Sequence, residues 1–163
     1  MAQWRRIIEF PSYSVSEEGQ VRNDVADRLM SISPNTRGIP TVGLAYRGTT
    51  RRRSVSVLVA EAFVTTARSL EFNTPIHLDG DKFNCHAENL VWRPRWFALQ
   101  YVEQFKIGPS GYSCEIQEIK SEEVFANSWE AAVKYGLLER EVVFSIRRQT
   151  YVIPTYQRFR LYE

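Results

Sequence analysis

The stretch His77-Leu78-Asp79-Gly80-Asp81-Lys82-Phe83-Asn84-Cys85-His86-Ala87-Glu88-Asn89-Leu90-Val91-Trp92 decides the fold. Pro75–Leu78 reads as a short strand. Asp79–Lys82 is a tight turn, because aspartate side chains bond nearby backbone and glycine tolerates the bend. Cys85–Leu90 and Val91-Trp92 bring the chain back, and Pro94 breaks it. Upstream, Val55, Leu58, Val59, Ala62 and Phe63 fall at helical spacing, so Val55–Phe63 is a short amphipathic helix. Residues 64–74 are a loop, and Trp96–Glu103 is expected as a further helix.

Residues 1–54 read as an all-β module. Trp4–Phe10 is apolar and ends at Pro11; Tyr13–Ser16, Val21-Arg22, Arg28–Ile32 and Thr41–Tyr46 are strand-length runs punctuated by turn residues. Trp4 and Tyr13 are expected to be buried, and Gly19 to sit in the turn Glu17–Gln20. Gly48-Thr49-Thr50 makes a hairpin into Arg51–Ser54, with Arg51, Arg52 and Arg53 at its tip.

Residues 104–124 are expected as a linker or small hairpin around Gly108–Gly111. In residues 125–163, Ser128 is the expected N-cap of a helix over Trp129–Tyr135 that Gly136 stops. Leu138–Arg148 follows as a second helix. A two-helix unit with a glycine turn can lay its second helix in a DNA groove, and Arg140, Arg147 and Arg148 are placed to meet phosphates or bases.

With 163 residues, 44% hydrophobic and 13% aromatic, the chain can bury a core, which excludes global disorder. Two cysteines, Cys85 and Cys114, cannot staple a fold, and no Cys-x-x-Cys zinc pair occurs. No apolar run approaches the roughly 20 residues of a membrane span, and the N-terminus lacks a signal-peptide core. A soluble, cytoplasmic protein with no membrane partner is therefore expected. Charge is uneven: residues 1–55 carry nine Lys/Arg against five Asp/Glu, residues 102–124 two against five, and residues 125–163 six against four. Two basic ends suit contact with a polyanion at two places.

The blocks Leu58–Phe63, "H-x-D-G-D-K-x-N" at His77–Asn84 and "E-N-L-x-W" at Glu88–Trp92, in that order, resemble the HNH endonuclease family of phage and intron homing enzymes. Trp4–Ile7 with Tyr13–Asn23 is similar to the small module that often precedes such nucleases. Ser128–Ala132, Gly136-Leu137 and Val142–Ile146 resemble the helix-turn-helix-like repeat found behind them. The resemblance implies an α+β fold of four parts: an N-terminal antiparallel β module (1–54), an HNH-like ββα-metal domain (55–103), the linker or hairpin (104–124) and a helix-turn-helix-like unit (125–163). It also implies that His77 is the base that activates water, and that Asn89 orients the hairpin and the base.

The metal ligands are where the sequence departs from the family. The residue before the base is Ile76, the position about nine residues after Asn89 is Ala98, and the position that usually opens the first helix with histidine is Ser56. A hard divalent cation wants oxygen or imidazole donors. Asp79, Asp81 and His86 are the remaining candidates, the two aspartates reading first as turn residues.

The leading expectation is thus a double-stranded-DNA-binding protein of HNH homing-endonuclease descent, phage-encoded and acting in the host cytoplasm. Its cleavage is weak or lost, it needs no cofactor, and it serves as a regulator or as an adaptor for phage or host machinery. Arg51–Arg53 and Arg140, Arg147 and Arg148 are its candidate DNA contacts. Two alternatives stay open. One is an active endonuclease or nickase using Mg²⁺ or another divalent cation through an unusual ligand set. The other is a protein-interaction module, which clustered exposure of Trp96, Phe97 and Tyr101 would favour.

Overall fold

The computed structural model describes residues 1–162 and is α+β, with small antiparallel sheets and four helices. The chain divides into two compact units, Met1–His77 with Asp81–Pro94, and Leu78–Gly80 with the residues from Arg95 onward. None of the described helices is long and apolar enough to cross a membrane.

In the first unit β1 (Trp4–Arg6), β2 (Tyr13–Ser16), β3 (Val21–Asn23) and β4 (Arg28–Leu29) form an antiparallel meander. Strand β1 is shorter than the apolar run suggested, because Ile7–Pro11 folds into turns. Tyr13 is buried, while Trp4 is only partly so, its ring lying under the Arg22 guanidinium at 4.8 Å. A second sheet comprises β5 (Ile32–Pro34), β6 (Pro40–Tyr46) and β7 (Thr49–Ser54). Helix α1 (Val55–Phe63) has the bounds its apolar spacing predicts. It buries Val55, Leu58 and Val59 in one core with Phe10, Tyr13, Val15, Val21, Val42, Leu44, Leu90 and Trp92. The strands of residues 1–54 and helix α1 therefore share a single apolar interior.

The hairpin β8 (Thr74–His77) and β9 (Leu90–Arg93) completes this unit, in the register Ile76↔Val91 and His77↔Leu90. Gly19, at φ +88, lets the β2–β3 turn close on the intervening loop. A Cβ there would lie 3.0 Å from Cys85 Cβ, and Glu17 O accepts from Ala87 N at 2.7 Å. Any side chain at residue 19 would push that loop away.

In the second unit, α2 (Arg95–Ile107) runs past the expected Trp96–Glu103 at both ends. Residues 104–124, expected as linker or hairpin, supply the last turn of α2 and a central strand. Strand β10 (Ile116–Glu118) lies between β11 (Val124–Phe125) and β12 (Phe159–Leu161). The apolar side of this sheet packs with α3 (Ser128–Tyr135) and α4 (Glu139–Arg148) around Ile116, Phe125, Ala131, Ala132, Leu137 and Val142.

The cap of α3 is Asn127, one residue before the expected Ser128. Its side chain accepts from Glu130 N at 2.8 Å, and the Glu130 carboxylate reaches back to Ala126 N at 3.2 Å. The acidic partner that Ser128 lacked thus exists for Asn127. Gly136 closes α3 in the left-handed conformation, as read from the sequence.

Ser128 instead faces inward, where it meets Glu139 at the start of α4. Glu139 is buried, and its carboxylate accepts from Ser110 N at 2.8 Å, Gly111 N at 3.0 Å and Ser128 Oγ at 2.8 Å. Gly111 is required there, since a Cβ would collide with Ser128 Oγ. The N-cap residue of α4, Leu138, offers no side-chain cap, and Gln104 of α2 substitutes. Its Oε1 accepts from Glu139 N at 3.0 Å, and its Nε2 donates to Leu137 O at 3.1 Å. Replacing Glu139 by alanine leaves Ser110 N, Gly111 N and the buried Ser128 hydroxyl without this acceptor. The expected loss is about 3 kcal/mol or more, read as a lowered urea midpoint; a loss within the ~0.5 kcal/mol of an ordinary surface change would show that the carboxylate does not hold this unit together.

Candidate functional site

His77 ends β8, half-buried, opposite Leu90, and Asn89 immediately precedes that neighbouring strand. Asn89 closes a single 3-10 turn, Ala87–Asn89, and its Nδ2 donates to Asn84 O at 2.9 Å. That bond folds the loop 84–89 back on itself. His77 Nε2 lies 3.8 Å from Cys85 Sγ, and the same thiol donates to Lys82 O at 3.6 Å. Burial, reinforced by the nearby Asp81 carboxylate, pushes the Cys85 pKa up to about 11, so the group facing His77 is a neutral thiol. Cys85 is a neighbour of the candidate base that sequence reading missed; a lone Cys among turn residues gives no such signal.

Two of the remaining candidate donors, Asp81 and His86, have local tasks. Asp81 Oδ1 accepts from Phe83 N at 2.9 Å, the turn-making bond expected of it. His86 precedes the 3-10 turn, and its Nδ1 accepts from Glu88 N at 3.3 Å. Asp79 is exposed in the turn after His77. The three positions where the family is expected to carry ligands are built into packed interior. Ile76 and Ala98 are 3% and 8% exposed, and Ser56, at 5%, shares a 3.0 Å hydroxyl contact with Ser54. Among the described residues no three His, Cys, Asp or Glu side chains converge on a common point. The residues present do not fit a resident divalent cation.

In the second unit the helix α2 meets the turn that follows His77. Tyr101 Oη donates to Leu78 O at 2.7 Å, and Gly80 packs so closely on the Phe105 ring that a Cβ would come within 2.6 Å. Phe97 and Tyr101 are buried and only Trp96 is exposed, so the aromatic cluster that would mark this segment as a protein-docking surface is not formed.

Two groups of arginines were expected to meet DNA. On α4 the inward residues are Glu139, Val142 and Ser145, which leaves Arg140, Phe144, Arg147 and Arg148 together on the exposed face. Arg140 donates to Gln100 Oε1 at 2.5 Å, Arg147 lies over the Tyr112 ring at 5.8 Å and Arg148 over the Phe144 ring at 5.7 Å. Phe144 is the member of this face that was not singled out; its place four residues from both Arg140 and Arg148 was the available signal.

The other group is not a single clamp. The β6–β7 turn is Arg47-Gly48, both at positive φ, so Arg51, Arg52 and Arg53 lie along a strand and not at a tip. The two-residue period sends Arg52 to the opposite face from Arg51 and Arg53. Arg53 is held by Glu9 at 2.6 Å, and Arg52 donates to Ser33 Oγ at 3.0 Å. Arg51 is exposed and has no partner among the described residues.

No family profile matches the chain. It is 30% identical over 92 residues to an uncharacterized HNH endonuclease of Acanthamoeba polyphaga mimivirus, a match that takes in 56% of this chain and 27% of the relative. The chain thus spans about a quarter of that relative's length. The fold is similar to that of the HNH homing endonuclease I-HmuI in a structure describing its DNA binding and cleavage, at a TM-score of 0.55 and 17% identity over 98% of each chain. The chain is thus similar in sequence, over part of its length, to an HNH endonuclease, and similar in fold to an HNH homing endonuclease.

The two thiols separate these local environments experimentally. At pH 8 iodoacetamide should label exposed Cys114 quickly and reach Cys85 only after denaturation, as followed by mass spectrometry. Equal labelling of both in the folded protein would mean that the loop beside His77 is open.

Proposed function

We propose that this chain, a relative of the HNH homing endonucleases, binds double-stranded DNA and has weak or no cleavage activity. The carrying observation is the burial of Ile76 and Ala98 at positions where the family pattern calls for metal donors. An isoleucine side chain and an alanine methyl offer no lone pair, and each is committed to packing. His77 and Asn89 remain, so the hairpin and its candidate base persist without a cage for the cation. Hydrolysis of a phosphodiester draws several kcal/mol from cation and electrostatic stabilisation of the leaving oxygen, and every ~1.4 kcal/mol is tenfold in rate. Without it cleavage falls by several orders of magnitude.

Binding rests on different residues. Arg140, Arg147 and Arg148 present a cationic face on the second helix of a helix-turn-helix-like unit, the element that enters a groove in such motifs. Arg51 supplies a further exposed cation on β7. A phage-encoded regulator, or an adaptor that brings phage or host machinery to DNA, fits a protein that has kept the grip and lost the cut. The DNA binding of the structurally similar I-HmuI and the unformed aromatic cluster on α2 both favour this reading over a pure protein-interaction module.

Two measurements test it. Duplex binding should weaken as salt rises, and Arg147→Ala with Arg148→Ala should flatten the slope by up to about two phosphate equivalents. Supercoiled plasmid with Mg²⁺ should be nicked little or not at all. Binding that ignores both salt and the double substitution overturns the DNA-binding reading. Efficient nicking that His77→Ala abolishes overturns the loss of cleavage.

A further inference from the structure

Phe144 is 50% exposed in the middle of the cationic face of α4, where an apolar ring gains nothing from water. It does not belong to the buried core of its unit, whose α4 member is Val142. It lines instead an open groove, together with Gly111, Tyr112, Glu139, Arg140, Val143 and Arg147. Val143 and Phe144 give this groove apolar surface, and Arg140 and Arg147 give it guanidinium groups, while the Glu139 carboxylate that also lines it is taken up by Ser110, Gly111 and Ser128. One helical turn separates Phe144 from Arg140 on one side and from Arg148 on the other, about 6 Å along the axis each way.

Polar base edges in the major groove are matched by donors and acceptors, which a phenyl ring lacks. Thymine alone presents a methyl group there, and phenylalanine is among the side chains that can contact it. We propose that Phe144 is a specificity-determining residue that recognises a thymine 5-methyl group in the major groove, between positions engaged by Arg140 and Arg148. The inference rests on the DNA-binding reading and deepens it, since the arginines give affinity to any duplex and Phe144 gives preference for one base.

The test uses the full chain and a random duplex library. Sequences retained at moderate salt should share a thymine at one position. Replacing that thymine by deoxyuridine, which differs only in the missing methyl, should weaken binding about fourfold, the size expected for burying one methyl group. Phe144→Ala should bind the thymine and uracil duplexes alike, and Phe144→Leu should keep part of the distinction. The uracil comparison is made on the unmodified protein, so it does not depend on how any variant folds. Salt-dependent binding with no uracil effect at any position overturns this inference alone. A thymine–uracil difference that persists in Phe144→Ala also overturns it. Absence of salt-dependent duplex binding overturns the DNA reading together with it.

Discussion

The buried carboxylate of Glu139 is the interaction on which the placement of α4 depends. It gathers two backbone N–H groups from the loop at Ser110-Gly111 and the hydroxyl of Ser128, so one side chain joins the loop, the start of α3 and the start of α4. Gln104 adds the orphan N–H of Glu139 itself and the carbonyl of Leu137. A carboxylate taken out of water is tolerated only when its oxygens are fully used, and here both are. The contrast is with exposed pairs such as Lys106–Glu103, which water and salt screen and which contribute little. With the inward side of α4 fixed in this way, its opposite side can be given over to arginines and an exposed phenylalanine at no cost to the core.

The hairpin around His77 is held together by packing and ordinary hydrogen bonds. Ile76 is buried in the interior behind β8. Ala98 is likewise buried on α2 between Phe97 and Leu99, and Ser56 satisfies its hydroxyl against Ser54. No buried polar group is left waiting for a cation at these three places. The loop itself is held by ordinary means, namely the Asn89 bond to Asn84 O, the Asp81 turn and the close seat of Gly19 on Cys85. A thiol kept protonated by burial stands beside the imidazole, a neutral neighbour and not a charged partner.

Much of this was legible from residues alone, and the limits have physical causes. Helix α1 was readable to the residue, since five apolar side chains at helical spacing leave one register. The strand–turn–strand around Asp79–Lys82 was equally plain. Ser128 was mistaken for the cap of α3 because Ser and Asn both cap well, and only the reach of Glu130 selects Asn127. Arg51–Arg53 looked like one patch because sequence order hides the alternation of a strand. The strand β10 was hidden because Ile116–Glu118 is too short to show a period, and only β11 and β12 on either side give it a place. Burial of Phe97 and Tyr101 beside exposed Trp96 follows from which side of α2 faces protein, a tertiary fact absent from three aromatics within six residues.

The central claim is that missing donors, and not a damaged scaffold, limit cleavage. The most direct test is to return a donor beside the candidate base with Ile76→Asp and to follow melting temperature and plasmid nicking with and without Mn²⁺. A ligand that binds only the folded state raises its stability, so Mn²⁺ should raise the melting temperature of the variant and leave that of the unmodified protein in place. His77-dependent nicking should appear in the variant. The same Mn²⁺ shift in the unmodified protein, or a variant that takes up Mn²⁺ and still does not cut, would contradict the account.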